Sequence, residues 1–182
     1  EASVGYPHPA IALRLVDGDN LNAEQGVLQM KAPAVMTGYH NRPDVPSPIT
    51  KDGFYVTGDV FRRDENGFHY FVGRSDDMFV SGGENIYPRE LEEFLLGHPL
   101  IVDVQVFGVS DAKFGEEVCA WVIARAGHRL SADDVIAHCR GKIAHYKVPR
   151  YVRIVEGFAM TVTGKAQKFE MRKLMEAELS VQ

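Results

Sequence analysis

The chain has 182 residues, 45% hydrophobic and 25% charged, which is typical of soluble globular proteins and sufficient for a hydrophobic core. Its 20 basic and 25 acidic residues give a formal net charge of −5, and no run of Lys or Arg is longer than Arg62-Arg63, so nucleic acid has no electrostatic footprint to bind. No apolar stretch approaches the roughly 20 residues that span a bilayer, and the N-terminus lacks a signal-peptide pattern. We therefore expect a cytoplasmic protein with no membrane span and no nucleic-acid partner.

The first part of the chain alternates short apolar segments with turn residues. Four of these segments predict strands: residues 11–16, 26–30, 53–59 and 67–73. The prolines between Asn41 and Gly53 predict a surface loop, and the polar turn Asp64-Glu65-Asn66-Gly67 predicts a hairpin between the last two strands. A small β-rich subdomain over residues 1–73 is the result.

Beyond residue 74 the pattern mixes helices and strands. Strands are predicted over residues 103–109, 117–125 and 151–155, and helices beginning at Pro88, after the capping box Ser131-Ala132-Asp133-Asp134, and at Lys168. Trp121 is expected in the core, and Cys119 and Cys139, in apolar segments, are expected to be buried free thiols. The fold class predicted is α+β: the small β-rich subdomain, then a compact C-terminal domain over residues 74–182 with a short sheet flanked by helices.

Four segments place polar residues among glycines in a way that core packing does not require. The first ends in Gly58-Asp59, where a carboxylate at the end of a strand could accept two hydrogen bonds from a vicinal diol such as ribose. An Asp after Gly is, on its own, more often part of a turn. The second, Gly73 to Asp77, suits either a hinge with Arg74 free to reach a ligand or an ordinary solvated linker.

The third segment, Ser81 to Pro88, reads as a Gly-Gly loop leading into a helix and could border a narrow substrate channel. The fourth, Thr161 to Lys168, carries Lys165 on a Thr-Gly turn, where its ammonium could meet a developing oxyanion or a phosphate. An isolated Gly-Lys is usually a surface lysine. A Walker A loop is excluded because Ala166 follows the lysine, and G-x-S-x-G and H-E-x-x-H motifs are absent from the sequence.

Taken together and in order, these segments resemble the later core motifs of the adenylate-forming superfamily, which includes acyl- and aryl-CoA synthetases, luciferases and peptide-synthetase adenylation domains. The segments that match are Gly5-Tyr6-Pro7, Met36-Thr37-Gly38-Tyr39, Tyr55 to Asp59, Gly73 to Asp77 and Thr163-Gly164-Lys165. Ser81 to Pro88 and His145 to Pro149 look most like fatty-acyl- and aryl-CoA ligases. The resemblance covers essentially the whole chain.

The resemblance implies a two-step reaction, in which a carboxylate attacks the α-phosphate of ATP to give an acyl-AMP and CoA then displaces AMP. By position, Lys165 would be catalytic in the first step, and the nucleotide would be bound by Tyr55, Asp59 and Arg74. Asp76 would be the hinge about which the C-terminal domain rotates between the steps. The CoA tunnel would be lined by Ser81, Gly82, Gly83 and Glu84.

The departures from the family pattern are also informative. The Ser/Thr/Gly-rich phosphate loop and the aromatic-Gly-x-Thr-Glu motif, which supplies the Mg²⁺ ligand, are missing and are expected upstream. Since the chain also starts at Glu1 without a methionine, we expect a fragment covering about the last third of an enzyme, inactive alone and possessing no metal ligand of its own. The acid remains open between fatty and aryl types, and homo-oligomerisation remains possible. Two alternatives to a CoA ligase also stay open: an adenylation domain that loads a carrier protein, and a non-catalytic binding module.

Overall fold

A computed structural model describes residues 3–180 of the chain, which form two compact units. The first unit ends at Asp76 and the second begins at Asp77. The last strand of the first unit continues to Arg74, one residue past the point where the β pattern of the sequence stops. The predicted α+β class is confirmed. None of the helices in residues 3–180 has the length and apolar character needed to cross a membrane.

The first unit is built on a four-stranded antiparallel sheet in which each strand pairs with its neighbours in sequence. Its strands are β1 (Ala12–Val16), β2 (Gln25–Lys31), β3 (Tyr55–Arg63) and β4 (His69–Arg74). Residues 41–53 form turns and bends, as their three prolines predicted. The core of this unit is small, with Leu15 and Val60 almost completely buried.

The predicted hairpin between β3 and β4 is confirmed, and its turn is closed by Asp64. The Asp64 carboxylate accepts hydrogen bonds from the backbone N–H groups of Asn66 (3.0 Å) and Phe68 (2.9 Å), a local geometry that Asp favours. β3 is longer than expected, because the ladder with β4 continues through Arg63 opposite His69. Asp59 therefore lies inside a strand, and the expectation that it ends one is wrong.

The second unit contains a five-stranded sheet with helices on both faces. Its elements are β5 (Phe79–Ser81), β6 (Glu84–Ile86), α1 (Pro88–Leu96), β7 (Ile101–Asp111), β8 (Gly115–Ala124), α2 (Ala132–Cys139), β9 (Tyr151–Ile154) and α3 (Lys168–Leu179). The order is β6-β5-β8-β7, and β9 pairs with β8 in parallel. A short 3₁₀ turn, His145–Lys147, precedes β9.

β8 is buried on both faces because its apolar residues run without interruption. Val118, Ala120 and Val122 pack into a cluster with residues of α1 and α2. The alternate residues Cys119 and Trp121 pack into a second cluster, which contains Met171 of α3. The sheet thus separates α1 and α2 from α3.

Both cysteines are buried and free, as predicted. Burial raises the pKa of the Cys119 thiol to about 12 and that of the Cys139 thiol to about 11. Neither residue is therefore a thiolate nucleophile near neutral pH.

The helix signals of the sequence are also confirmed. Pro88 occupies the first turn of α1. At the start of α2, the Ser131 hydroxyl accepts a hydrogen bond from the Asp134 N–H (3.2 Å), and the Asp134 carboxylate accepts one from the Ser131 N–H (2.9 Å). This is the predicted capping box.

The segment expected to be a Gly-Gly loop is instead a tight β-hairpin. Ser81 pairs with Glu84 across the two-residue turn Gly82-Gly83, whose φ angles of 58° and 90° are both positive. A turn that matches the twist of a hairpin requires this conformation, which glycine adopts without strain. The flanking strands have only three residues each, too few to produce a recognisable alternation in the sequence.

Gly108 lies in a tightly packed part of the second unit. A Cβ atom at this position would lie 2.8 Å from the Phe79 ring and 2.8 Å from Glu116 Oε1. We expect Gly108→Ala to destabilise the chain by about 1–3 kcal/mol through overpacking, measured as a lower urea midpoint. Gly157→Ala is the control, since no heavy atom lies within 4 Å of its added Cβ; equal midpoints for the two variants would contradict the packing described.

Candidate functional site

β3 carries a bulge at the residues that were predicted to bind the nucleotide. Thr57, Gly58 and Asp59 together stand opposite the single residue Leu28 of β2, because the residues on either side pair normally. The Thr57 hydroxyl donates to the Leu28 carbonyl (2.9 Å) and accepts from the Asp59 N–H (3.0 Å). Bulges redirect side chains out of the regular strand pattern, and this one determines where the Asp59 carboxylate points.

The bulge is fastened to the segment that follows β4. Both the N–H and the hydroxyl of Ser75 donate to the Gly58 carbonyl, at 2.8 and 3.0 Å. Gly58 has a φ of 76°, and a Cβ at this position would lie 3.2 Å from Arg74 Nη2. Glycine is needed here both for the backbone angle and for the close approach of the guanidinium.

Arg74 brings together three of the predicted site residues. Its Nη1 donates to Asp59 Oδ1 at 3.0 Å, while Nε and Nη2 donate to the two oxygens of Asp76 at 3.0 and 3.3 Å. Hydrogen bonding to Arg74 holds the pKa of Asp76 below its usual value, and the Asp76 carboxylate raises the pKa of Arg74. The cluster thus places one guanidinium between two carboxyl groups.

The cluster is open to solvent. The exposed fraction of the side chain is 33% for Asp59, 46% for Arg74 and 68% for Asp76. A ligand can therefore reach the Asp59 carboxylate, and Arg74 holds that carboxylate in one orientation. An oriented, accessible carboxylate is suited to accept hydrogen bonds from a pair of hydroxyl groups.

Tyr55 lies on the same strand as Asp59 but in a different environment. It opens β3, pairs with Met30 of β2 and forms an isolated bridge with Ile49. With Met36 and other apolar side chains it lines an open pocket of about 320 Å³. The hydrogen bonds among residues 3–180 do not join Tyr55 to the Asp59 and Arg74 cluster.

Lys165 lies in the second unit, on a turn whose backbone is fixed by hydrogen bonds. The Thr161 N–H donates to the Lys165 carbonyl at 2.7 Å, and the Lys165 N–H donates to the Thr161 hydroxyl at 3.0 Å. Gly164, with a φ of 79°, makes the turn possible. The segment Thr161 to Lys165 is referred to below as the lysine turn.

The Lys165 side chain is exposed. Within the part of the chain that the structure describes, its ammonium has no hydrogen bond or ion pair. A lysine presented in this way offers three donors and a full charge to an anion. The exposure and the Thr-Gly turn also agree with the ordinary interpretation of an isolated Gly-Lys as a surface lysine.

The residues predicted to line a CoA tunnel form the tip of the β5–β6 hairpin. The Gly82 N–H donates to the Phe114 carbonyl at 2.9 Å, and a Cβ on Gly82 would lie 3.1 Å from the Phe114 ring. Ser81 is buried and Glu84 is exposed. A Cβ on Gly83 would meet no atom within 4 Å, so this glycine leaves bare backbone at the surface.

A Mg²⁺ ion, which the family resemblance implies, does not fit the residues described. No group of three or more His, Cys, Asp or Glu side chains among residues 3–180 could hold a metal ion. The carboxylates of Asp59 and Asp76 in the candidate site are both engaged by Arg74.

Two residues of the bulge site and one buried charged residue of α1 were missed in the sequence. Thr57 and Ser75 brace the bulge through their hydroxyls, and only their positions beside Asp59 and Arg74 could have indicated this. Glu92 had a clearer signal, because it is a charged residue on the inward face of α1, between the buried residues Leu91 and Leu95.

Comparison with known proteins decides the family. Residues 90–165 match the family described as AMP-binding enzyme C-terminal domain. The mitochondrial medium-chain acyl-CoA ligase ACSF2 of Mus musculus is 45% identical over 185 residues, which cover 98% of this chain and 30% of that protein. The chain belongs to the adenylate-forming superfamily. It carries the superfamily's C-terminal domain.

Two further relatives within the superfamily agree. The putative acyl-CoA synthetase YngI of Bacillus subtilis is 48% identical over 150 residues, covering 82% of this chain and 27% of that protein. The crystal structure of ATP-bound MatB from Rhodopseudomonas palustris matches with a TM-score of 0.82 and 31% identity, over 96% of this chain and 36% of that one. The chain thus spans less than a third of the length of the two acyl-CoA relatives.

The hydrogen bonds between Arg74 and Asp76 lead to a prediction about the pKa of Asp76. Because the Arg74 hydrogen bond favours the ionised form of Asp76, Arg74→Met should raise the pKa of Asp76 towards its ordinary value, as measured by carboxyl ¹³C NMR of the chain at varying pH. Arg89→Met, which removes an exposed arginine paired with Glu93 on α1, should leave Asp76 unmoved. An Asp76 pKa that is the same with and without Arg74 would refute the described pairing.

Proposed function

We propose that this chain is the C-terminal part of an ATP-dependent carboxylic acid:CoA ligase, which forms an acyl-adenylate and then a thioester with CoA. The observation that carries the proposal is the exposed ammonium of Lys165 on an ordered turn, which has no partner among residues 3–180. This turn belongs to a chain that is 45% identical to a medium-chain acyl-CoA ligase. ATP and CoA are co-substrates in this proposal.

In the first half-reaction, an oxygen of the substrate carboxylate attacks the α-phosphorus of ATP, and the bond to pyrophosphate breaks. Negative charge then accumulates on the oxygens around phosphorus. The Lys165 ammonium would stabilise that charge and neutralise the approaching carboxylate, since both are anions that otherwise repel. The ordered backbone of the lysine turn supports this role, because it fixes the point from which the Lys165 side chain reaches the phosphate.

The nucleotide would be held by the first unit. Asp59 would accept hydrogen bonds from the two ribose hydroxyls, and Arg74 would hold that carboxylate while offering its remaining donors to the nucleotide. The accessible Asp59 side chain, its bulge and the 3.0 Å bond to Arg74 support this assignment. Tyr55, on the apolar pocket, would contact a less polar part of the nucleotide.

In the second half-reaction, the CoA sulfur attacks the acyl carbonyl and AMP leaves. Gly82 and Gly83, between Ser81 and Glu84, would leave room for the pantetheine arm, and the bare backbone at Gly83 supports this. Asp76, at the boundary between the two units, would be the hinge whose backbone angles change between the half-reactions.

The substrate would be a fatty or aryl carboxylic acid. The names of the mouse and Bacillus relatives favour an acyl chain. A panel of acids of increasing chain length, with benzoate as the aryl representative, would rank these substrates in the complete protein.

The decisive test is Lys165→Ala in the complete protein, with Lys173→Ala as the matched control. Lys173 is also an exposed lysine of the second unit, and its partners are Glu170 and the Phe169 ring on the same helix. Removing the Lys165 charge should lower acid-dependent pyrophosphate release by about a hundredfold or more. Thioester formation from supplied acyl-AMP and CoA should change much less, because that step does not involve the α-phosphate charge.

Unaltered pyrophosphate release in Lys165→Ala would exclude the catalytic role of this lysine. Absence of acid- and ATP-dependent thioester formation in the complete wild-type protein, across the whole panel, would exclude the ligase itself. The control should retain both half-reactions.

A further inference from the structure

Glu92 is a carboxylate in a position where an apolar residue is expected. It lies on the buried face of α1 beside Leu91 and Leu95, and only 7% of the residue is exposed. A buried charge is strongly unfavourable unless it is paired and hydrogen-bonded. The groups that stabilise this buried carboxylate therefore have to be identified.

Glu92 has two partners, and they belong to two other elements. Its Oε1 accepts a hydrogen bond from the Val106 N–H of β7 at 2.9 Å and from Lys168 Nζ of α3 at 2.7 Å. β7 is the last strand in the order of its sheet, so the Val106 N–H has no strand beyond it to bind among the described residues. One carboxylate oxygen thus joins α1, the outer edge of β7 and the beginning of α3.

Lys168 is also unfavourably placed if considered alone. It is the first residue of α3, where the positive end of the helix dipole repels a cation. The residue before it, Gln167, makes no side-chain capping bond. Helix stability therefore does not explain a lysine here, whereas the pair with Glu92 does.

The position of Lys168 links this pair to the lysine turn. The two sides of the turn's stem are joined by a bridge between Met160 and Ala166 and by the Gln167 N–H, which donates to the Ala159 carbonyl at 2.8 Å. The stem runs directly into Lys168 at the start of α3. Fixing the Lys168 side chain against α1 and β7 therefore fixes the base of the turn that presents Lys165.

We propose that Glu92 and Lys168 form a positioning pair, which sets the orientation of the lysine turn and so the place where the Lys165 ammonium meets the α-phosphate. This inference rests on the proposed function. Neither member of the pair touches substrate: both act through Lys165. A displacement of about 1 Å at a reacting group can cost about a hundredfold in rate, so loosening this anchor should affect adenylation specifically.

The test uses three variants of the complete protein. Lys168→Met removes the ammonium and keeps most of the side-chain volume, and Lys168→Arg keeps a cation. The double variant Glu92→Gln with Lys168→Met removes both charges, so that no unpaired buried charge is left to unfold the protein. The controls are Lys173→Met and Glu170→Gln, which disrupt an exposed pair at 3.3 Å on the same helix.

Amide hydrogen exchange tests the pair without reference to activity. In Lys168→Met and in the double variant, amides of the peptide covering residues 159–167 should exchange about tenfold faster, because the turn loses its anchor while the core does not. Amides of β8 should keep their protection, and the two controls should leave both peptides unchanged. Unchanged exchange of residues 159–167 in Lys168→Met and in the double variant would overturn the proposal.

Kinetics then separate positioning from stability. We expect kcat for adenylation to fall about tenfold to a hundredfold in Lys168→Met and in the double variant, with thioester formation from supplied acyl-AMP nearly unchanged and Lys168→Arg retaining most activity. A double variant that regains both thermal stability and wild-type adenylation would show a purely structural pair and overturn the proposal. If the proposed ligase function is wrong, the wild-type protein itself shows no adenylation. The exchange data would still decide whether the pair orders the turn.

Discussion

Burial of β8 on both faces is the constraint on which the second unit depends. A strand with apolar residues at consecutive positions must be covered on both sides, so the chain has to place helices on each face of one sheet. α1 and α2 cover one face and α3 covers the other. Because α1 and α3 lie on opposite faces, a side-chain link between them can form only past the edge strand β7, where Glu92 and Lys168 meet. The lysine turn then takes its place at the base of α3.

In the first unit, the feature of interest is a carboxylate that projects from the middle of a strand. A regular strand alternates its side chains between two faces. The bulge of Thr57, Gly58 and Asp59 breaks that alternation. Ser75, directly after β4, holds the altered backbone, and Arg74 holds the Asp59 carboxylate. Hydroxyl groups and a guanidinium thus do here what apolar packing does in the second unit. The Asp59 carboxylate held in this way stays partly open to solvent.

Much of the fold could be predicted because its signals are local. The capping box of α2 spans four consecutive residues, the Asp64 turn is closed by its own side chain, and the apolar run of β8 is visible without knowing its neighbours. The features that were missed depend on partners far away in sequence. The bulge at Asp59 exists only in relation to Leu28 on another strand, and Glu92 and Lys168 are separated by 76 positions. The β5–β6 hairpin was missed for a third reason, since three residues are too few to show a period.

In the candidate site, too, local features could be predicted and contacts between distant residues could not. Asp59, Arg74, Asp76 and Lys165 could be singled out because they lie in short motifs whose order matches a family. The contacts that hold each motif in place could not be predicted in the same way. The close packing of Arg74 against Gly58, and the pair that anchors the lysine turn, come from register and burial, which single sequences do not encode at a fixed spacing.

The state of the two cysteines has a consequence for thiol–disulfide exchange with small molecules. A mixed disulfide forms when a thiolate attacks one sulfur of an existing disulfide and the other sulfur leaves as a thiolate. Cys119 and Cys139 are the only cysteines of the chain, both are buried, and burial keeps them protonated, with pKa values of about 12 and about 11. A disulfide approaching this surface would therefore meet no exposed thiolate to attack it. The chain would thus stay chemically inert towards oxidised CoA in its surroundings.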